Sequence, residues 1–210
     1  MMHLLLGRRR MLAAASGAIS LGGCSLLFPE SPPRLYKLAG GTGDAPEGPP
    51  IRKQLVVTTP VAPESLDTDR IALTVNDTKF DYFADSAWTD RAPLLLQGLL
   101  LESFENSGTL SAVGRESSNL TADYVLETEL RNFEARYNTA GDQLPTAVVR
   151  LVAQLVEMPD RKAVGAVRAS GEAAGARNRL GDIVEAFDKA VGEVVARIVA
   201  WTLQIMESRQ

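Results

Sequence analysis

Between Tyr124 and Tyr137 the chain reads YVLETELRNFEARY, in which largely apolar positions alternate with charged ones. Side chains of a β-strand point alternately to its two faces, so this period of two predicts a long strand with one buried face. The alternation slips by one residue after Leu130 and resumes at Phe133. A β-bulge at Arg131-Asn132 would absorb the slip, because a bulge inserts one extra residue into one strand of a pair.

Further strands are predicted on both sides of this segment. Ala147 to Glu157 carries few charges and is predicted to be a central strand. Ala163 to Ala173 returns as its hairpin partner after a turn at Met158 to Lys162. Glycines at positions 165, 171 and 175 weaken this last strand or mark bends in it. Shorter strands are predicted earlier in the chain, at Gln54 to Thr59, Arg70 to Asn76 and Thr78 to Phe83.

A first helix is predicted between the short and the long strands. Thr89-Asp90 is expected to open it, with Pro93 in its first turn, and Ser107-Gly108 to end it. Six leucines and Phe104 give it a broad apolar face. Such a face indicates a core helix that is buried on more than one side, and a lipid-binding stripe is the alternative.

A second helix is predicted from Asp182, which can cap its start, to Met206. Apolar residues from Val184 to Ile205 are spaced by three and four positions in turn, and further apolar residues widen that stripe. A wide stripe favours docking on the chain's own sheet over a two-stranded coiled coil. The predicted fold class is therefore α/β (α+β), with a single mixed or antiparallel sheet and two main helices packed on it.

The N-terminal residues have the layout of a secretory signal. Three arginines, Arg8 to Arg10, precede an apolar run from Met11 to Leu21, and two glycines separate that run from Cys24. The run is 11 residues long and would cover roughly 16 Å as a helix, about half of a bilayer's hydrocarbon core. The alternatives are an internal cysteine that merely follows two glycines and, for the export route, a twin-arginine signal.

Cys24 after two small residues resembles the lipobox of bacterial lipoproteins, in which a peptidase cuts before the cysteine and the thiol receives a lipid. The resemblance implies a mature N-terminus at Cys24, acylated with chains such as palmitate and held at a membrane. Ser25 points to the outer membrane by the sorting rule of enterobacteria. The predicted domains are a signal peptide (1–23), an acylated N-terminus with a flexible tether (24–50) and a folded domain (51–210).

The predicted tether has a distinct composition. Residues 25–50 hold six prolines and four glycines, with an extended patch at Arg34 to Leu38. Gly40 to Gly43 could suggest a phosphate-binding loop, but the lysine and the helix of such a loop do not follow it. We therefore interpret this segment as linker.

Charge and residue usage narrow the possible functions. The chain has 22 basic and 26 acidic residues, and the predicted signal takes away three arginines, which leaves seven net negative charges. An acidic chain without a basic cluster argues against nucleic acid as a partner. His3 and Cys24 are the only histidine and cysteine, so the mature chain would lack the side chains of Ser-His-Asp triads, Cys-His pairs and Cys/His zinc sites. We expect no catalytic residues, no cofactor, no metal site and no enzyme activity.

Several segments taken together resemble one family. They are the lipobox cysteine followed by Tyr36-Lys37-Leu38, then Arg70-Ile71-Ala72-Leu73, Trp88 before the leucine helix, Tyr124-Val125-Leu126 running into Asn132-Phe133-Glu134, and Ala200-Trp201. In order and spacing they resemble the ABC-type transport auxiliary lipoproteins, the PqiC-like group. The resemblance covers nearly the whole mature chain. It implies a non-catalytic accessory to an ABC system with an MCE-domain component, which moves lipids or other apolar molecules between the membranes of a Gram-negative cell.

The implied partners are the MCE-domain protein, its permease and ATPase, and a membrane reached through the acyl chains; a homo-oligomer is also considered. Trp88 is a candidate partner contact because tryptophan is enriched in interface hot spots, or else a core residue beside the first helix. The loop from Asn138 to Pro145 and the polar segment from Arg115 to Asn119 are further candidates. Two other functions stay open: a stand-alone lipid-binding lipoprotein, and a carboxylate-based enzyme with two acids about 5–9 Å apart.

Overall fold

The structure, a computed structural model, describes residues 32–40, 49–138 and 144–209. Its elements in chain order are β1 (Arg34–Tyr36), β2 (Ile51–Val57), β3 (Arg70–Val75), β4 (Lys79–Trp88), α1 (Ala92–Ser107), β5 (Leu110–Gly114), a 3-10 turn (Glu116–Ser118), β6 (Tyr124–Tyr137), β7 (Thr146–Glu157), β8 (Lys162–Ala174) and α2 (Leu180–Glu207). Within these ranges no helix has the length and apolar content needed to cross a membrane.

Strand β6 is the longest strand and organises the sheet. β7 pairs antiparallel with it along its whole length, and β8 pairs antiparallel with β7. The β6–β7 register shifts between Leu130 and Asn132, so Arg131 is an extra residue on β6. The bulge predicted at Arg131-Asn132 is therefore confirmed, and it keeps the apolar residues on one face on both sides of the shift.

The other edge of β6 is shared by two strands. β2 pairs parallel with its beginning, where Val57 lies opposite Leu126, and β3 pairs parallel with its end, where Val75 lies opposite Tyr137. β2 continues to β5, whereas β3 continues to β4 and then β1, so the sheet divides into two branches. The predicted fold class, a single mixed sheet with two main helices, is confirmed.

The structure extends one predicted strand and adds two strands that were not predicted. β4 is ten residues long and ends at Trp88, well past the predicted end at Phe83. It extends this far because Asp85 takes a left-handed conformation (φ 51°) that lets the strand bend and resume pairing. β5 is a five-residue edge strand within a segment for which no strand was predicted. β1 is formed by the extended patch at Arg34 to Leu38, which pairs parallel with β4.

Helix α1 is buried on more than one side, as its leucines predict. Leu96, Leu100 and Phe104 are each at most 1% exposed, and Gly108 ends the helix in the left-handed conformation with a φ of 61°. The predicted opening at Thr89-Asp90 is wrong, because the N-cap is Arg91 and no side chain caps the helix. The carboxylate of Asp90 accepts the Arg91 N–H at 2.8 Å instead.

Helix α2 packs across β8 and β7 and beside α1, so docking on the chain's own sheet is confirmed. It begins at Leu180 rather than Asp182. Asp182 does not cap the helix; its carboxylate lies in the first turn and accepts hydrogen bonds from Arg177 at 3.0 and 3.1 Å. The glycines of β8 mark the helix contact, since a Cβ at Gly171 would lie 2.1 Å from the carbonyl oxygen of Ala190.

Candidate functional site

Cys24 and the predicted signal lie outside the described residues, and so do residues 41–48 of the predicted tether. The described fold begins ten residues after Cys24, at Arg34 in β1. Residues 34–40 are therefore the part of the fold nearest in sequence to the predicted anchor, and we call them the strap.

The first part of the strap is held by a neighbouring strand. Tyr36 lies opposite Trp88 at the end of β4, and the Tyr36 carbonyl accepts the N–H of Thr89 at 2.9 Å. Leu38 is 2% exposed and belongs to the hydrophobic core. A strand of three residues has few hydrogen bonds of its own, so this apolar side chain supplies much of its attachment.

The second part of the strap is held by a carboxylate. The N–H groups of Ala39 and Gly40 donate to the same Asp188 oxygen of α2, at 2.7 and 2.8 Å. Charge-assisted bonds of this kind are shorter and stronger than neutral ones. Gly40 has a φ of 70°, and a Cβ there would lie 2.8 Å from Leu99 of α1. The strap therefore touches both helices as well as β4.

Trp88, the candidate partner contact, is 1% exposed. Its ring lies 5.5 Å from that of Phe133 on β6 and 5.3 Å from that of Phe187 on α2, and these two rings are 5.1 Å apart. A side chain this deeply buried offers no contact area to a partner. The structure thus places Trp88 in the core, the second of the two interpretations.

The polar segment from Arg115 to Asn119 is tied to the fold by a buried glutamine. Gln97 of α1 is 2% exposed, and its amide donates to the Val57 carbonyl at 3.0 Å and to Glu116 at 3.1 Å. Arg115 donates to the Gln97 oxygen at 3.1 Å, and Glu116 accepts the Thr59 N–H at 2.9 Å. These contacts give the segment a structural role. Of the other candidate loop, Asn138 to Pro145, residues 139–143 lie outside the described residues.

The face of the sheet that points away from the helices carries a group of arginines. Arg131 of β6, Arg150 of β7 and Arg168 of β8 lie on three adjacent strands, and all three are exposed. They line a recess of about 500 Å³ together with Val152 and Ser170. We call it the arginine recess. Local sequence does not reveal it, because the three arginines lie on three different strands, each with other charged residues.

A second recess of about 510 Å³ adjoins the first and shares Arg131 and Arg150 with it. Glu134 lies in this second recess, is 4% exposed and accepts hydrogen bonds from Asn132 and from the Phe133 N–H, both at 2.8 Å. Arg136 pairs with Asp77 at 2.9 Å. The two acids of the second recess, Glu134 and Asp77, are therefore already bound by neighbouring groups. In the ranges that the structure covers, no group of three or more acidic, histidine or cysteine residues could hold a metal ion.

Residues 36–199 match the family described as the ABC-type transport auxiliary lipoprotein component. The chain belongs to this family. The match starts at Tyr36, the last residue of β1, and ends within α2, so most of the strap, helix α1 and strands β2 to β8 of this auxiliary lipoprotein fall inside it.

Solved structures resemble the fold of this auxiliary lipoprotein. The crystal structure of protein XCC0632 from Xanthomonas campestris is 25% identical, with a TM-score of 0.77 over 83% of this chain and 97% of that one. A further crystal structure of an uncharacterized protein, 14% identical, has a TM-score of 0.63 over 82% of this chain and 99% of that one, which shows the fold alone.

One curated relative is a longer protein. The uncharacterized protein bll6063 of Bradyrhizobium diazoefficiens is 28% identical over 169 residues, which are 80% of this chain. The auxiliary lipoprotein spans only 44% of that relative's length. The printed name of that relative assigns no activity.

Proposed function

We propose that this auxiliary lipoprotein is held at a membrane through acylated Cys24 and works as a non-catalytic accessory component of an MCE-type ABC transport system. The cargo would be a lipid or another apolar solute that moves between two membranes. The observation that carries the proposal is the family match over residues 36–199, with the lipobox-like cysteine only 12 residues before its start.

The strap supports a short connection to the membrane. From Cys24 to Arg34 the chain has ten residue steps, which reach at most about 36 Å when fully extended. If the fold began at Ile51, the fully extended chain between Cys24 and the fold would reach about 97 Å. An acylated Cys24 would therefore keep the folded domain close to its membrane. Ser25 favours the outer membrane as that site, with the domain on the periplasmic side.

The proposed role is binding rather than catalysis. His3 and Cys24 are the only histidine and cysteine of the chain, and the two buried acids named above, Glu134 and Asp182, are each held by an arginine, an amide or a backbone N–H. The partners we propose are the MCE-domain protein with its permease and ATPase. Several copies of the chain in one complex are also compatible with this role.

The alternative, a stand-alone lipid carrier with an acyl chain beneath α1, has less support. The space beneath α1 is occupied by its own side chains, among which Leu96 and Leu100 are 0% exposed and Phe104 is 1% exposed. Native mass spectrometry distinguishes the two functions. A monomer that retains one lipid after detergent removal would favour the carrier, whereas a lipid-free monomer favours the accessory role.

The anchor is tested by processing and fractionation. We expect Cys24→Ser to abolish both lipid labelling and membrane association, and globomycin to leave the precursor uncut. Ser25→Ala serves as the matched control, because it changes the next residue and keeps the cysteine. Membrane association that survives Cys24→Ser would contradict the anchor.

The partner is tested by affinity purification from native membranes after chemical cross-linking. An MCE-domain protein, a permease or an ATPase should be recovered with the tagged lipoprotein. Recovery of the lipoprotein alone, including after cross-linking, would contradict the accessory role. Neighbouring genes that encode these three partners would support it independently.

A further inference from the structure

The arginine recess places three guanidinium groups on one concave surface of an acidic protein. Adjacent strands lie about 4.8 Å apart, and Arg150 faces Ser170 while Val152 faces Arg168 across the β7–β8 pair. Arg131 lies on the opposite side of Arg150, at the β6 bulge. The three side chains therefore line the same recess from three adjacent strands.

The hydrogen-bonding capacity of these arginines is mostly unused. Arg131 donates to Glu129 at 2.6 Å, and Arg150 donates to Glu172 at 2.8 Å. Both pairs are exposed, with side-chain exposures of 43–58%, and exposed pairs hold their partners weakly. Arg168 has no hydrogen bond or ion pair with any residue that the structure describes. A guanidinium has five N–H donors, so most donors in the recess remain open to a ligand.

The residues that line the recess include three arginines and a serine but no carboxylate. Glu129 and Glu172 hold the arginines from outside this lining. Arginine binds phosphate through two parallel N–H bonds and is the preferred side chain for that group. A concave recess of about 500 Å³ also suits a small molecule better than the flat surface of a protein partner.

We propose that Arg131, Arg150 and Arg168 bind a phosphate group. The second recess, which shares Arg131 and Arg150, continues from this position to Leu66 and Phe80, and Phe80 is 40% exposed. Its lining also includes Asp77 and Glu134, which are already bound by neighbouring groups. A phosphate carried by a lipid headgroup would place its apolar part there, whereas free phosphate would use the arginines alone. The phosphate is the shared chemistry, and the test separates the two sources.

The test uses the full-length lipidated protein in an uncharged detergent that contains no phosphorus. Dihexanoyl-phosphatidylglycerol and inorganic phosphate are the probes, and phosphorus NMR line broadening reports binding of either. The variant is Arg168→Gln, with Arg131→Gln as a second variant at the other end of the recess. Arg197→Gln is the matched control, because Arg197 is exposed on α2, on the opposite side of the sheet.

We expect Arg168→Gln and Arg131→Gln each to weaken binding by about tenfold or more, and Arg197→Gln to change it less than twofold. A lipid probe that binds at least tenfold more tightly than inorganic phosphate identifies the headgroup as the source; equal affinities identify free phosphate. The proposal is overturned by a wild-type protein that binds neither probe, or by equal losses in Arg168→Gln and Arg197→Gln. It is also overturned if hexaglutamate binds and phosphate does not, which would indicate a docking surface for an acidic protein. The isolated protein suffices, so failure here leaves the transport proposal to its own tests.

Discussion

Replacing Gly171 with alanine tests how closely α2 approaches the sheet. A Cβ at this position would lie 2.1 Å from the Ala190 carbonyl oxygen and 2.9 Å from its carbonyl carbon. Both atoms belong to the backbone of a 28-residue helix, so no side-chain rotation can relieve the clash. The helix must move away from β8 by about 1 Å, and cores resist such movements because they are closely packed.

The expected change in the free energy of unfolding is the balance of two opposing effects. Overpacking a core position costs typically about 1–3 kcal/mol, while glycine-to-alanine substitution at an accessible backbone conformation returns about 0.4–1 kcal/mol by restricting the unfolded chain. We therefore expect Gly171→Ala to lower the free energy of unfolding by about 1–2 kcal/mol. At about 2–4 °C per kcal/mol for a domain of this size, the melting temperature should fall by roughly 2–8 °C.

Urea denaturation, followed by tryptophan fluorescence and circular dichroism, measures this change. Gly181→Ala is the matched control, because a Cβ there meets no atom within 4 Å and the residue lies in the first turn of the same helix. It should stabilise the protein by about 0.4–1 kcal/mol. If Gly171→Ala were as stable as Gly181→Ala, α2 would not contact β8 as described, and the packing argument would fail.

Three further predictions concern the strap, the core residue Trp88, and Glu157 at the end of β7. Asp188→Ala removes the acceptor of two strap N–H groups and should speed tryptic cleavage after Lys37 several-fold, unlike Glu185→Ala on the exposed side of α2; equal rates would show that Asp188 does not hold the strap. Trp88→Ala should cost about 3–5 kcal/mol of unfolding free energy, as expected for a large core side chain, and a variant of wild-type stability would contradict its burial. Hydrogen bonds from Arg209 and then Tyr124 lower the pKa of Glu157 below its ordinary value of 4.5. Its stabilising effect is therefore present above pH 4.5 and lost as the pH falls through the lower folded-state pKa, so the stability gap between wild type and Glu157→Gln should close only in acid; a gap independent of pH would refute this.

The parts of the fold that the sequence predicts are those with long periodic patterns. The 14 residues of β6 and the 28 residues of α2 each repeat their apolar period often enough to fix type, face and even the bulge at Arg131. β5 has five residues and β1 has three, which is too short for any period to show. Such short strands form because a partner strand is already in place, and this information is not local in sequence.

The arginine recess could not be predicted from local sequence either. Arg131, Arg150 and Arg168 come together only through strand register, since they lie on three different strands. The turn after Glu157 does not fix this arrangement, because the β7–β8 register shifts between Leu155 and Val156 before it reaches Arg168. For Trp88 the sequence left two interpretations open, because a residue type that is frequent in interfaces is also frequent in aromatic cores, and only burial separates the two.

Through the strap, a force on the proposed anchor would act on the helices as well as on the sheet. Any pull on an acylated Cys24 would first reach β1, whose three residues pair parallel with the end of β4. It would then act on Leu38 in the core and on the Asp188 carboxylate of α2. Because Asp188 directly follows Phe187, which contacts Trp88 and Phe133, the force would pass into the buried core of the domain. A tether that joined the fold only at the β2 edge would pull on the sheet alone.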